Sequence, residues 1–187
     1  MHRILEQSLY GKKGKVTTMG KIDIKGFKAG MDYVNTGSED FSAWRFNPEA
    51  NCYQFATTSI FYLGRRLLPG EISGKKVHDQ LRYSDELLVS YVKDDFRALG
   101  FTMTKCSQKD KLKEGQWMIA ILNCDTRAKF YDFHFLRMLA GDNEHWEQKF
   151  VDEQHPMRWD YFDHVITDPA KASYGYDYHL VGYFRIG

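Results

Sequence analysis

The chain has 187 residues, 43% of them hydrophobic and 16% aromatic, with a formal net charge of +1. That content supports one domain with a substantial core, and the near-zero charge argues against a nucleic-acid binder, which carries a strong basic excess. Cys52, Cys106 and Cys124 stand far apart with no CxxC pair, so no zinc site or disulfide framework is expected, and a reducing compartment follows.

Residues 1–30 form a polar arm, with lysines at 12, 13, 15, 21, 25 and 28 interleaved with glycines. Met1 to Gly20 holds no apolar h-region, so no signal peptide is expected. Nor does any apolar run approach the length that crosses a bilayer. The expected product is cytoplasmic at synthesis, with no membrane span; export by a dedicated machine stays open, because such machines need no N-terminal signal. Residues 31–187 are expected to form a single domain. Its first stretch, 31–50, is loop-like and ends on the Asn47-Pro48 turn signal, with Trp44 and Phe46 pinned to the core.

From Asn51 to Gly64 the apolar residues Phe55, Ala56, Ile60, Phe61 and Leu63 fall at helical spacing, and Gly64 is a stop. The helix carries Cys52 in its first turn, where the positive end of the helix and free backbone N–H groups lower a thiol pKa. After the Leu68-Pro69-Gly70 turn, 75–82 reads as a short helix. Ser84 then caps a longer one, with Leu88, Tyr91, Val92, Phe96 and Leu99 as its buried stripe and Gly100 as its end. His78, just before it, reads as a surface or packing residue.

The second half reads as strands: Phe101–Cys106, Trp117–Asn123, Arg127–Leu139, His145–Val151, 161–167 and Tyr178–Ile186. A hairpin turn at Gly141-Asp142-Asn143 and a brief helix from Asp168-Pro169 to Ser173 lie between them. Helices first and an antiparallel sheet second make an α+β layout. Cys106 and Cys124 are expected to pack at strand ends.

The chemistry-bearing pair is Cys52 and His134. Alternation points His134 away from Phe133 and Phe135. If its face of the sheet is the one packed on the first helix, the imidazole meets the thiol, and a Cys–His pair generates a nucleophile for acyl transfer. A third group usually orients such an imidazole. The next strand offers His145, Glu147 and Gln148, with Asp160 and Asp163 further on; Glu147 and Gln148 point to opposite faces, so only one of those two can reach His134.

Asn51-Cys52-Tyr53-x-Phe55-Ala56 resembles the nucleophile segment of papain-like NlpC/P60-type cysteine peptidases and their bacterial and phage relatives. Phe133-His134-Phe135-x-Arg137 resembles the histidine segment of one branch. The order continues through Gly141, Trp146-Glu147-Gln148-Lys149, Asp160, Asp168-Pro169-Ala170-Lys171-Ala172 and Gly182-Tyr183-Phe184, so the likeness spans roughly 51–187. The resemblance implies a papain-like fold that needs no metal or organic cofactor and cleaves amide bonds in peptidoglycan stem peptides. Cys52 would be the nucleophile, His134 the base and acid, and Gln148 the third residue, standing where the branch has histidine. A glutamine accepts an imidazole N–H but brings no charge. Trp44, Trp146 and Trp159 could line the cleft. Such a protein would be a secreted antibacterial effector, paired with an immunity protein, or a phage lysis component. The alternatives are a Cys–His deamidase or acyltransferase toxin acting on a host protein, and an inactive binding module on the same scaffold.

Overall fold

The computed structural model describes residues 50–57, 66–140, 145–151 and 156–187. The arm, the loop before Ala50 with Trp44, the second half of the first helix up to Gly64 and the 141–143 turn lie outside the described residues. Within them are two helices, α1 (Cys52–Ala56) and α2 (Asp85–Ala98), and five strands: β1 (Met103–Cys106), β2 (Trp117–Asn123), β3 (Phe133–Leu139), β4 (Glu147–Gln148) and β5 (His179–Ile186). The strands form one antiparallel sheet in the order β1-β5-β2-β3-β4. The helices precede the sheet, as the pattern predicts. Among the described residues no helix is long and apolar enough to cross a membrane.

β2 is buried along its whole length because it is the central strand, with a neighbour on each edge and a core on each face. On one face Trp117, Ile119 and Ile121 join Phe135, Ile186 and the buried stripe of α2 (Leu88, Val92 and Phe96), together with Cys52, Tyr53 and Ala56 of α1. On the other, Met118, Ala120 and Leu122 pack with Leu136, Met138, Trp146, Ile166 and Tyr174. α2 begins on the Ser84 side chain, which accepts from the Leu87 N–H, and stops where Gly100 turns left-handed at φ 87°.

Several elements are shorter than the sequence pattern suggests, each for a local polar reason. The strand read over Arg127–Leu139 starts only at Phe133, because Asp125 accepts from the Arg127 backbone and guanidinium and closes a turn. The strand read over 161–167 is absent: the Asp160 carboxylate gathers the N–H groups of Phe162, His164 and Ser173, leaving a single bridge between Trp159 and Val165. Asp168 caps as expected, accepting from the Ala170 N–H, but only one turn follows and no helix forms. The short helix over 75–82 is likewise absent, reduced to a turn in which the Leu81 N–H donates to the His78 carbonyl. The strand read over His145–Val151 shrinks to Glu147–Gln148.

Candidate active site

α1 is positioned by a reciprocal cap. The Asn51 side chain accepts from the Gln54 N–H at 2.9 Å, and Gln54 Oε1 accepts from the Asn51 N–H at 3.1 Å. Both side chains also hold Leu67: Asn51 Nδ2 donates to its carbonyl at 2.8 Å and its N–H donates to Gln54 Oε1 at 3.1 Å. The next residues fasten the helix at further points. The Tyr53 hydroxyl donates to Asp95 of α2 at 2.5 Å, and Trp117 Nε1 of β2 donates to the Ala56 carbonyl at 3.1 Å. Phe55 receives the Arg137 guanidinium at 3.9 Å above its ring. Cys52 thus stands at the start of a helix bound to α2, β2 and β3.

The expectation that His134 shares the face of the first helix is corrected. α1 packs on the Phe133/Phe135 face, with the Tyr53 and Phe135 rings 5.0 Å apart. The His134 ring points to the opposite face, stacked on Phe150 at 4.9 Å and flanked by Tyr174 and Tyr178. It is also buried, so it is not a solvent-facing strand histidine. The two groups share a cavity all the same, the thiol reaching it along the strand edge. β4 pairs only with Leu136 and Arg137, and the Cys52 thiol occupies the edge beyond that pairing. It donates to the Phe133 carbonyl at 3.8 Å and faces the Phe135 N–H, the backbone groups on either side of His134. Cys52 and His134 open on one cavity of about 870 Å³, whose wall includes Tyr83, Tyr131, Asp132 and Phe150.

Behind the imidazole stands Gln148. Register places it opposite Leu136, on the same face as His134, and its Oε1 lies 2.7 Å from His134 Nε2. Its own amide nitrogen donates to the Trp159 carbonyl at 2.6 Å. That second bond fixes which end of the amide faces the ring: Oε1 only accepts, so Nε2 carries the proton and Nδ1 is the unprotonated nitrogen.

The other third-residue candidates are engaged elsewhere. Glu147 faces the opposite way and pairs with Arg137 at 3.4 Å and Arg158 at 3.1 Å. Asp160 is spent on its loop, and Asp163 adopts a left-handed turn at φ 61°. His145 precedes β4. Of the tryptophans, Trp146 is fully buried in the core, while Trp159 is half exposed.

Charge states follow from burial. The Cys52 thiol is pushed up to about 12, first by desolvation and then by the nearby Asp132 carboxylate. The backbone N–H groups of Phe135 and, at the start of α1, of Tyr53 and Cys52 act the other way, but by less than burial raises it. Burial likewise lowers His134 to about 4, although the Gln148 hydrogen bond and Asp132 both favour its charged form. At neutral pH the pair is therefore a thiol and a neutral imidazole. Cys106 and Cys124 sit at the ends of β1 and β2, also with raised thiols, and among the described residues no group of acidic, histidine and cysteine side chains could hold a metal ion.

Two wall residues carry more weight than the sequence reading assigned them. His78 lines the cavity, and so does Asp132, whose position two residues before His134 on the same strand face was the available signal. No protein-family model, curated protein or solved structure matches this chain.

Proposed function

We propose that the protein is a cysteine hydrolase of papain-like architecture that cleaves amide bonds, with Cys52 as nucleophile, His134 as proton carrier and Gln148 as the group that orients the imidazole. The observation that carries this reading is the His134–Gln148–Trp159 chain of hydrogen bonds. It pins the ring in one tautomer, with the basic Nδ1 left for the thiol that shares the cavity.

Because both groups are neutral at pH 7, the reaction runs by general-base assistance and not from a standing thiolate. Nδ1 takes the thiol proton as Sγ attacks the scissile carbonyl. The developing oxyanion lies against the Cys52 N–H, a first-turn amide with no partner inside its helix. The imidazolium, steadied by Gln148, then protonates the leaving amine, and water releases the acyl group. The order of motifs from Asn51 to Phe184 supports peptidoglycan stem peptides as substrate and an effector or lysis role. Incubation with purified sacculi tests this: new amine ends that disappear in Cys52→Ala and His134→Ala are expected, and sacculi unchanged by the native protein would refute the peptidoglycan assignment.

A second reading, a binding module that retains the scaffold, is favoured by one observation: burial raises the Cys52 thiol and lowers His134, so that both groups resist ionisation. Alkylation of the thiol, with loss of a carboxylate from the probe, separates the two. A fluorophosphonate-free probe such as a peptidyl acyloxymethyl ketone labels Cys52 in an enzyme, and labelling that is unchanged by His134→Ala favours the binding module.

A further inference from the structure

We propose that Asp132 is the docking point for a positively charged group of the substrate, an ammonium or guanidinium close to the scissile carbonyl. The inference rests on the thiol–imidazole reading of the cavity and adds to it the chemical class of the ligand.

Asp132 opens on the cavity that holds Cys52 and His134. Its carboxylate is held in place without being neutralised. Oδ2 accepts from the Tyr178 hydroxyl at 2.7 Å, and Oδ1 accepts from the Phe133 N–H at 2.9 Å. Neither partner carries charge, and among the described residues no cation pairs with it. Asp94 is matched by Lys75 and Arg97, Asp125 by Arg127, Glu147 by Arg137 and Arg158, and Asp168 by Lys171; Asp95, like Asp132, is held by neutral donors alone, but it does not open on the cavity. An oriented, unmatched anion on a cavity wall is a site for a cation.

Among the described residues the remaining charged groups of the wall are Arg66, His78, Asp79 and Lys149. Lys149 is buried and turned to the main chain, donating to the Ala50 carbonyl at 2.6 Å and to the Phe150 carbonyl at 3.3 Å. Asp79 is exposed and adds to the negative side.

Placement beside the nucleophile has a cost that a cationic ligand removes. The Asp132 field works against a thiolate at Cys52. A substrate cation seated on Asp132 cancels that field when the scissile bond arrives, so recognition and activation coincide.

The test uses three methanethiosulfonate reagents on the full-length protein: the cationic aminoethyl, the neutral methyl and the anionic sulfonatoethyl forms. Each reacts when a thiolate attacks the sulfenyl sulfur, forming a mixed disulfide and releasing methanesulfinate. Rates at Cys52 are read by peptide mass spectrometry, separately from Cys106 and Cys124, and are divided by the rates of the same reagents with 2-mercaptoethanol. The cationic reagent is expected to outpace the anionic one by about tenfold. The ratio should fall towards one in Asp132→Asn and persist in Tyr178→Phe, which keeps the carboxylate. A native ratio at or below one, or a ratio unmoved by Asp132→Asn, overturns the proposal and leaves the thiol reading intact. Absence of any labelling at Cys52 overturns both.

Discussion

His134 should make the protein acid-sensitive in a way that one substitution removes. In the folded protein burial holds the imidazole at about 4, against an ordinary value of 6.5. Above pH 6.5 the ring is neutral whether the chain is folded or not, and it contributes no pH dependence. Between pH 6.5 and 4 the unfolded chain binds a proton that the folded one refuses, so stability falls as pH falls. Below about 4 both states are protonated and the loss levels off. The full displacement is worth about 3 kcal/mol, of which about 2.5 kcal/mol is already lost at pH 4.5. Urea denaturation at pH 7 and pH 4.5 measures it, with His134→Gln as the comparison, because carboxylate effects common to both proteins cancel in the difference of differences. The native protein should lose about 2.5 kcal/mol more than the variant over that interval. The ring itself should titrate near 4 by NMR. Equal losses in the two proteins, or a ring that titrates at or above 6.5, would refute the neutral pair and indicate a standing thiolate–imidazolium.

Alkylation of Cys52 by iodoacetamide should keep accelerating beyond pH 10, as a thiol pushed up to about 12 requires, whereas a plateau near neutrality would contradict the burial argument. Glu147→Gln removes the carboxylate that Arg137 and Arg158 share in the interior, and urea denaturation should show a loss of about 3 kcal/mol; an unchanged midpoint would mean that the pair is dispensable. Gly70→Ala should cost about 2 kcal/mol or more by the same assay, because the residue sits at φ 98° and its new Cβ would meet Tyr91 Cδ2 at 2.6 Å.

Much of this architecture could be read from periodicity. Strand β2 appears in the sequence with its observed bounds because it is buried on both faces and reads as a nearly continuous apolar run from Trp117 to Asn123. Helix α2 is legible because cap, stripe and terminal glycine agree. What periodicity could not show is polar arrest. Asp125, Asp160 and Asp168 each turn their carboxylate onto nearby backbone N–H groups and end or prevent an element whose apolar pattern would continue. Alternation showed that only one of Glu147 and Gln148 could reach His134 but not which, since the deciding partners, the Trp159 carbonyl and Arg158, come from the following loop. Face assignment failed for His134 for a related reason. A strand pattern distinguishes two faces and has no symbol for an edge, and the thiol lies at an edge left open by the shortness of β4.

On the proposed reading, charge explains why a glutamine can stand third. A carboxylate at position 148 would hold the imidazolium form, and with the Asp132 anion also near the ring it would leave two negative charges around a buried histidine. An amide fixes the tautomer without adding charge, at the modest cost of a weaker imidazolium. The arrangement then keeps Cys52 and His134 neutral until something supplies positive charge to the cavity or accepts the electron pair of the sulfur. On this reasoning Gln148→Glu would raise the affinity of His134 for its proton and take away the base near neutral pH. The substitution that brings the site nearer to a charged triad would thereby lower its activity at pH 7, and activity would return only at higher pH.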